Sequence, residues 1–202
     1  MAVIKALFWD VGGVLLSNAW DHTQRTQALE RFGLEPKEFG ERHELVVSSF
    51  ERGKISLDEY QERTVFYRPR GFSREEFRSF MYSLSVPDDA ALAFAKSLAD
   101  SGKYRMGTIN NESKELNLYR IEKFGMRAIF SLFVSSCFVG LRKPEEAIYR
   151  LALDLTQQLP EECCFIDDRP LNLEMAKRLG MHTIEMHGAE QLRASLQELG
   201  VK

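Results

Sequence analysis

The chain of 202 residues is long enough to bury a substantial hydrophobic core. Its 44% hydrophobic and 28% charged residues are ordinary for a globular protein in water. The net charge of −3 leaves no basic excess for nucleic-acid phosphates or an anionic membrane surface, so we expect neither as a partner.

The first predicted strand, residues 3–9, is followed by a long stretch without strand signals. Between Asn18 and about Ser85 the sequence contains only amphipathic helical patterns, at 21–33, 36–53, 56–67 and 73–84. Ser56 and Ser73 precede acidic residues and suit helix N-caps. We therefore predict an α-helical cap of residues 18–85, inserted into a core domain of residues 1–17 and 86–202.

From residue 104 onward, short apolar segments alternate with helical patterns. The predicted strands cover residues 104–109, 128–136, 163–166 and 182–186. The predicted helices between and after them cover residues 113–125, 144–155, 171–180 and 189–200. This alternation predicts an α/β fold, a doubly wound, Rossmann-like parallel sheet covered by helices on both faces.

The three cysteines, Cys137, Cys163 and Cys164, have neither a disulfide pattern nor zinc-site spacing. No apolar run approaches the ~20 residues that a membrane span needs. No export signal is expected before the first strand. These features predict a cytoplasmic protein, and they leave open whether it is a monomer or a homodimer.

Charged and amide side chains follow four of the predicted strands. In a doubly wound sheet, the loops at the carboxyl ends of the strands share one edge, so these residues are expected to meet. They are Asp10, Asn110, Asn111, Lys143, Asp167 and Asp168. Taken singly, each has an ordinary structural explanation, such as a turn acid, a loop before a helix or a helix cap. Asn172 follows the same strand as Asp167 and Asp168 and is expected at this edge with them, although taken singly it would be a surface residue.

Taken together, these side chains indicate phosphoryl chemistry. Three carboxylates are suitable oxygen ligands for Mg²⁺. Lys143 would neutralise an anionic substrate and reduce repulsion between the carboxylates. Asn110 could donate a hydrogen bond to a phosphoryl group, and Asp10 could attack phosphorus to form an aspartyl-phosphate.

Four segments resemble, in order and context, the four motifs of the haloacid dehalogenase (HAD) superfamily. They are FWDVGGVLL, MGTINN, GLRKPEEAIY and FIDDRPLNLEMAKRLGM, and the resemblance covers essentially the whole chain. The segments FERGKIS and RKPEEAIY are most similar to a bacterial branch of sugar-phosphate phosphatases that includes a glucose-1-phosphate phosphatase.

The resemblance implies a role for each motif residue. Asp10 is implied as nucleophile and Mg²⁺ ligand, with the Gly12 carbonyl, Asp168 and Asp167 as further ligands. Lys143 is implied to hold the phosphoryl charge. The resemblance also implies that the amide pair Asn110–Asn111 contacts the phosphoryl group.

Two positions depart from the family pattern. Most phosphatases of the superfamily have a general acid two residues after the nucleophile, where this chain has Gly12. The similar branch also tolerates glycine there. The pair Asn110–Asn111 replaces the usual Ser or Thr before Asn.

Cap residues that could donate the proton or contact substrate are His22, His43, Glu44, Glu51 and Arg52; otherwise they belong to a solvated helix face. Arg52, beside Gly53, is the strongest of these candidates for substrate binding.

Three functions remain open at this point. The first is a Mg²⁺-dependent phosphatase acting on a small phosphorylated metabolite of the sugar-phosphate type. The second is a 2-haloacid dehalogenase-like hydrolase in which Asp10 attacks carbon. The third is a catalytically weakened protein that binds without turnover. The doubled acid Asp167–Asp168 favours the first, because two adjacent carboxylates without a cation would repel each other.

Overall fold

The structure, a computed structural model, describes residues 3–18 and 20–202. Met1, Ala2 and Ala19, which fall within the predicted core and cap, lie outside the described residues. Five parallel strands form one sheet in the order β3-β2-β1-β4-β5. The strands are β1 (Ala6–Trp9), β2 (Arg105–Asn110), β3 (Leu132–Ser135), β4 (Cys163–Asp167) and β5 (His182–Glu185).

Helices cover both faces of this sheet. Alternate residues of β1 point to opposite faces, so Leu7 and Trp9 join one hydrophobic cluster while Ala6 and Phe8 join the other. The core helices are α5 (Asp89–Asp100), α6 (Lys114–Lys123), α7 (Ser136–Val139), α8 (Glu146–Thr156), α9 (Pro170–Arg178) and α10 (Ala189–Glu198). The predicted doubly wound α/β fold is confirmed.

Four helices lie between β1 and α5 and pack around a hydrophobic cluster of their own. They are α1 (His22–Phe32), α2 (Pro36–Glu51), α3 (Leu57–Thr64) and α4 (Arg74–Ser83). Ser56 and Ser73 cap α3 and α4 as predicted, because each side chain accepts a backbone N–H of the first turn. We refer to these four helices as the cap.

The chain leaves the core and returns to it at neighbouring points. The Ser17 N–H donates to the Val86 carbonyl at 2.8 Å, and the Val86 N–H donates to Ser17 Oγ at 2.9 Å. The exact division at residues 17/18 and 85/86 stays a prediction.

Three elements differ from the sequence prediction. The segment predicted as a strand over 128–136 begins on the last residue of a 3-10 turn, Met126–Ala128, forms a strand at Leu132–Ser135 and ends on the first residue of α7. The helix predicted from Pro144 begins at Glu146. Helix α5 was not predicted, although its buried residues follow helical spacing.

Across the described part of the chain, no helix combines the length and apolar character needed to cross a membrane.

Candidate active site

The carboxyl edge of the sheet brings the predicted acidic residues together. Asp10 directly follows β1, and its N–H donates to the Ile166 carbonyl of β4 at 2.8 Å. Strands β1 and β4 are neighbours at the point where the order of the sheet reverses, which is where doubly wound folds bind ligands. Asp10, Asp167 and Asp168 each place a carboxylate oxygen within 4.8 Å of the others.

Lys143 joins two of these acids. Its ammonium nitrogen lies 2.9 Å from Asp10 Oδ1 and 2.6 Å from Asp167 Oδ2, and its side chain is 2% exposed. Burial alone disfavours the charged ammonium, but the two carboxylates raise the pKa of Lys143 above its ordinary range. Burial also raises the pKa of Asp10 to about 7, against the opposing attraction of Lys143. Lys143 is therefore a fixed positive charge beside Asp10.

The two adjacent acids have different surroundings. Both Asp167 oxygens accept hydrogen bonds, from Lys143, from the Arg169 N–H at 2.8 Å and from Asn172 Nδ2 at 3.0 Å. Asn172 is buried, so it lies with the acids at this edge and not at the surface position that it would have if taken singly. Asp168 Oδ2 accepts from Asn18 at 3.2 Å, whereas buried Oδ1 has no hydrogen-bond partner among the described residues.

These donors fit a hard divalent cation such as Mg²⁺. The unpartnered Asp168 Oδ1 lies in a cluster of three carboxylates, and both hydrogen bonds to Asp10 go to its Oδ1, which leaves Oδ2 available. Asp168 and Asp10 therefore each have an oxygen available for the cation, whereas Asp167 Oδ2 holds Lys143 and Asp167 Oδ1 accepts from Arg169 and Asn172.

Two glycines after Asp10 leave room for this arrangement. A Cβ on Gly13 would lie 2.1 Å from Asp168 Oδ2, and the residue has φ +75°. A Cβ on Gly12 would lie 2.8 Å from Asn18 Oδ1. A carboxylic acid at position 12, as in most related phosphatases, would require Asn18 to move.

The amide pair after β2 is occupied by structural hydrogen bonds. Asn110 accepts from Ser135 Oγ at 2.7 Å and donates to Asn117 at 3.0 Å, and it is absent from the cavity wall. Asn111 lines the cavity and exchanges two hydrogen bonds with the backbone of Lys143, at 2.9 and 2.8 Å. Both amides thus hold the framework, and a phosphoryl contact by Asn110 or Asn111 stays a prediction.

A polar cavity of about 490 Å³ separates this edge of the sheet from the cap. Asp10, Gly12, Asn111 and Lys143 line it from the core side. Of the cap candidates, His22, His43, Glu44 and Glu51 line it as well.

Arg52 is not part of the cavity wall. Its guanidinium donates to the Gly140 carbonyl at 2.6 Å and forms an ion pair with Glu145. Both partners belong to the core, so the structure places Arg52 as a bridge between cap and core rather than beside the predicted substrate.

His43 is unsuited to proton donation near neutral pH. Its Nδ1 lies 2.8 Å from the Tyr60 hydroxyl, and the side chain is buried. Burial lowers the pKa of His43 to about 4, so the imidazole is neutral at physiological pH. Glu51 is paired with Arg142 at 2.7 Å, and burial raises its pKa.

A buried ion pair that the sequence did not predict lies at the edge of the cavity. Glu112 and Arg120 both line it, with Glu112 Oε2 3.4 Å from the Arg120 guanidinium. Burial raises the pKa of Glu112 to about 7, although Arg120 opposes this. Glu112 lies two residues after the end of β2, so its position in the sequence could have indicated that it lies at the same edge of the sheet as the other acids. Arg120 could not be recognised, because it lies on α6 and reaches the cavity only through folding.

Known proteins resemble the chain along most of its length. Flavin mononucleotide hydrolase 1 of Arabidopsis thaliana is 29% identical over 171 residues, which cover 84% of this chain and 69% of that protein. D-ribitol-5-phosphate phosphatase of Bacteroides thetaiotaomicron is 24% identical over 212 residues, covering 96% and 97%. Four longer relatives match over a shorter segment: bifunctional epoxide hydrolase 2 from three mammals and a mouse acyl-CoA dehydrogenase family member. The matched segment covers only 7% to 13% of the length of these proteins.

Solved structures share the fold. A HAD family enzyme of Bacteroides thetaiotaomicron superposes with a TM-score of 0.82 at 20% identity, covering 95% of this chain and 100% of that one. A structure of that enzyme in complex with magnesium and inorganic phosphate gives a TM-score of 0.76 at 22% identity, covering 90% and 93%. The family of haloacid dehalogenase-like hydrolases matches residues 4–180. The strand order, the acids at the carboxyl edge and this match together show that the chain belongs to the haloacid dehalogenase-like hydrolases.

Proposed function

We propose that this hydrolase is a Mg²⁺-dependent phosphatase that acts on a small phosphorylated metabolite through an aspartyl-phosphate on Asp10. One observation carries the proposal: Lys143 holds one oxygen of Asp10, while the second oxygen of Asp10 and Oδ1 of Asp168 remain available in the same carboxylate cluster. The two similar phosphatases and the magnesium and phosphate complex of the structural neighbour support it.

In the proposed reaction, Asp10 Oδ1, which lies beside Lys143, attacks phosphorus, while Oδ2 stays available to the cation, and the bond from phosphorus to the alcohol oxygen breaks. The alkoxide leaves with the electron pair of that bond and is protonated by solvent water. A water molecule then hydrolyses the aspartyl-phosphate, which releases inorganic phosphate and restores the Asp10 carboxylate. Lys143 offsets the negative charge of Asp10 and of the phosphoryl group throughout.

Magnesium, when bound by Asp10, Asp168 and the Gly12 carbonyl, would supply positive charge beside the phosphoryl oxygens. Asp167 is proposed to act by holding Lys143 and not as the principal ligand. Asn111 would orient the same lysine through its backbone hydrogen bonds.

The substrate is proposed to be of the sugar-phosphate type. The cavity wall beyond Asp10 carries several charged side chains, which can hydrogen-bond the hydroxyl groups of a leaving sugar or polyol. These side chains are Arg25, Glu44, Glu51 and Arg142.

Gly12 cannot transfer a proton, so the rate should depend strongly on the leaving group. General acid catalysis contributes ~10²–10⁴-fold, and its absence matters least for an alcohol that is already acidic. We therefore expect aryl phosphates to be hydrolysed faster than alkyl phosphates.

The test is hydrolysis of an aryl phosphate with and without Mg²⁺, by the native chain, by Asp10→Asn and by a control, Asp100→Asn, at an exposed ion pair on α5. We expect turnover that requires both Mg²⁺ and Asp10 and that the control retains. Absence of turnover with this activated leaving group would contradict the phosphatase proposal. Hydrolysis of 2-haloacids would then be assayed, to separate a dehalogenase from a protein that binds without catalysis.

A further inference from the structure

A second cavity, of about 420 Å³, lies in the cap between α1 and α2. Much of its wall is apolar and consists of Leu29, Leu34, Pro36, Phe39 and Gly40. We call this space the apolar cap cavity. It differs in character from the cavity at Asp10, whose wall is dominated by charged and amide side chains.

The two cavities adjoin. His22, Arg25, His43 and Glu44 line both of them, so no more than one layer of side chains lies between. His43 is fixed in that layer by its hydrogen bond to Tyr60 and by its stacking on Phe39, whose ring centroid is 6.0 Å away. His22 and Glu44 are exposed and can be rearranged at little cost.

We propose that the apolar cap cavity binds an apolar end group of the phosphomonoester substrate while Asp10 reacts with its phosphoryl end. This inference rests on the proposed phosphatase function and specifies its substrate. The substrate then carries a phosphate, a polar middle that passes His22, Arg25 and Glu44, and an alkyl or aryl group that is removed from water in the cap. A sugar phosphate without an apolar substituent would occupy the first cavity alone.

Gly40 provides a means of filling this cavity without disturbing the fold. A Cβ at this position would meet no atom within 4 Å, and the residue lies inside α2 without a left-handed backbone. Replacing glycine in a helix interior removes a helix-destabilising residue. Gly40→Leu should therefore take up cavity volume in a folded protein, and Gly40→Ala is the matched control that takes up little.

The experiment measures binding of ethyl, butyl and hexyl phosphonate with Mg²⁺ to the native chain by titration calorimetry, since the carbon–phosphorus bond of these ligands is not hydrolysed. These ligands have the same charged group and differ only in apolar length. We expect Kd to fall by about fourfold for each methylene that enters the cavity. Gly40→Leu should remove the gain at hexyl and keep the affinity for ethyl phosphonate, whereas Gly40→Ala should keep both.

An affinity independent of chain length, no binding of any of the three, or an undiminished gain in Gly40→Leu would overturn the proposal. If Gly40→Leu does not fold, Thr26→Leu on α1, which lines the same cavity, takes its place. Failure of the phosphatase proposal is recognised separately, since it appears as absent aryl phosphate turnover in the native chain. Turnover without chain-length dependence would leave the phosphatase intact and remove the apolar subsite.

Discussion

At the scale of single residues, Gly13 determines how closely the loop after β1 approaches Asp168. Its backbone is in the left-handed region, and its Cα hydrogen points at Asp168 Oδ2, where a Cβ would lie 2.1 Å away. An added methyl group must therefore displace the carboxylate that has an oxygen available for the cation.

Gly13→Ala should lower both stability and Mg²⁺-dependent activity. Any alanine in a left-handed conformation costs about 1–2 kcal/mol. Displacing Asp168 should reduce activity further, by about 10–100-fold, as is usual when the support of a metal ligand is lost. Urea denaturation and aryl phosphate hydrolysis over a Mg²⁺ titration measure the two effects.

Gly33→Ala is the matched control, because Gly33 is also left-handed, at φ +59°, but a Cβ there meets nothing within 4 Å. It should show the backbone cost alone and keep full activity. Equal activity in the two variants would contradict the geometry described for Gly13.

Asp10, Lys143 and the two adjacent acids could be found from the sequence, because the ends of parallel strands always share an edge. The orientation of the Asn110 and Asn111 side chains could not be found from the sequence. Asn110 is turned away from the cavity by Ser135 on β3 and Asn117 on α6, and these contacts exist only in the folded chain. The different roles of Asp167 and Asp168 likewise depend on which of them Asn172 and Lys143 reach.

At the scale of elements, α6 connects the cavity to the two chain segments that join the core to the cap, one at Ser17 and one at Ser85. Arg120 on this helix donates to the Ser17 carbonyl and to Ser85 Oγ, and it pairs with Glu112. The side chains of Arg120 and Glu112 are 2% and 10% exposed, so each depends on the other for compensation of its charge.

Glu112 should make stability decrease as pH rises. Burial raises its pKa from 4.5 to about 7, so between these values the folded chain binds more protons than the unfolded chain. The stabilisation is complete below pH 4.5 and is lost as pH rises through about 7. Glu112→Gln should flatten the dependence of the unfolding free energy on pH by up to about 1.4 kcal/mol per pH unit in this window.

Urea denaturation at several pH values between 5 and 7 measures this slope. Asp10 titrates in the same range but is present in both proteins, so the difference between them isolates Glu112. Glu122→Gln, at an exposed position of α6, is the matched control. Identical slopes in the native chain and Glu112→Gln would contradict a carboxyl group of raised pKa.

Most elements with strong periodic patterns were predicted correctly, but α5 was missed in spite of its helical spacing, and local irregularities were missed as well. The segment before β3 has the apolar composition of a strand, but Gly125 adopts φ +61° and the following residues form a 3-10 turn. Ile129 and Phe130 are buried all the same, because they pack into the core from an irregular segment. The apolar composition of this segment correctly indicates that its side chains are buried. It does not distinguish a buried strand from a buried turn.

At the scale of the whole molecule, Ser136 joins cap and core through one hydroxyl group. Its Oγ donates to the Glu51 carbonyl at the end of α2, at 2.6 Å, and accepts the Glu112 N–H at 3.0 Å. The same end of the cap is held by the ion pairs of Glu51 with Arg142 and of Arg52 with Glu145.

Ser136→Ala should loosen the cap. It leaves a backbone N–H and a carbonyl without their partner, which costs about 1–3 kcal/mol when they stay buried. Hydrogen exchange should accelerate at the end of α2 more than in the central strands β1 and β4, and KM for an aryl phosphate should rise. Ser131→Ala, whose hydroxyl donates to the Met106 carbonyl of the core and has no other partner among the described residues, should change neither. Uniform acceleration throughout the chain would indicate a general loss of stability instead.

The hydrogen bonds between Ser17 and Val86 also bear on how this architecture can diversify. Two chain positions 69 residues apart in sequence are bonded neighbours in space. Insertion, deletion or replacement of everything between them leaves the ends where the sheet requires them. The helices that line the leaving-group cavities can thus vary as one unit, while Asp10, Lys143 and Asp168 keep their positions in the core, at the carboxyl edge of the sheet. Substrate preference can therefore change through the cap while the residues that carry out the reaction stay the same.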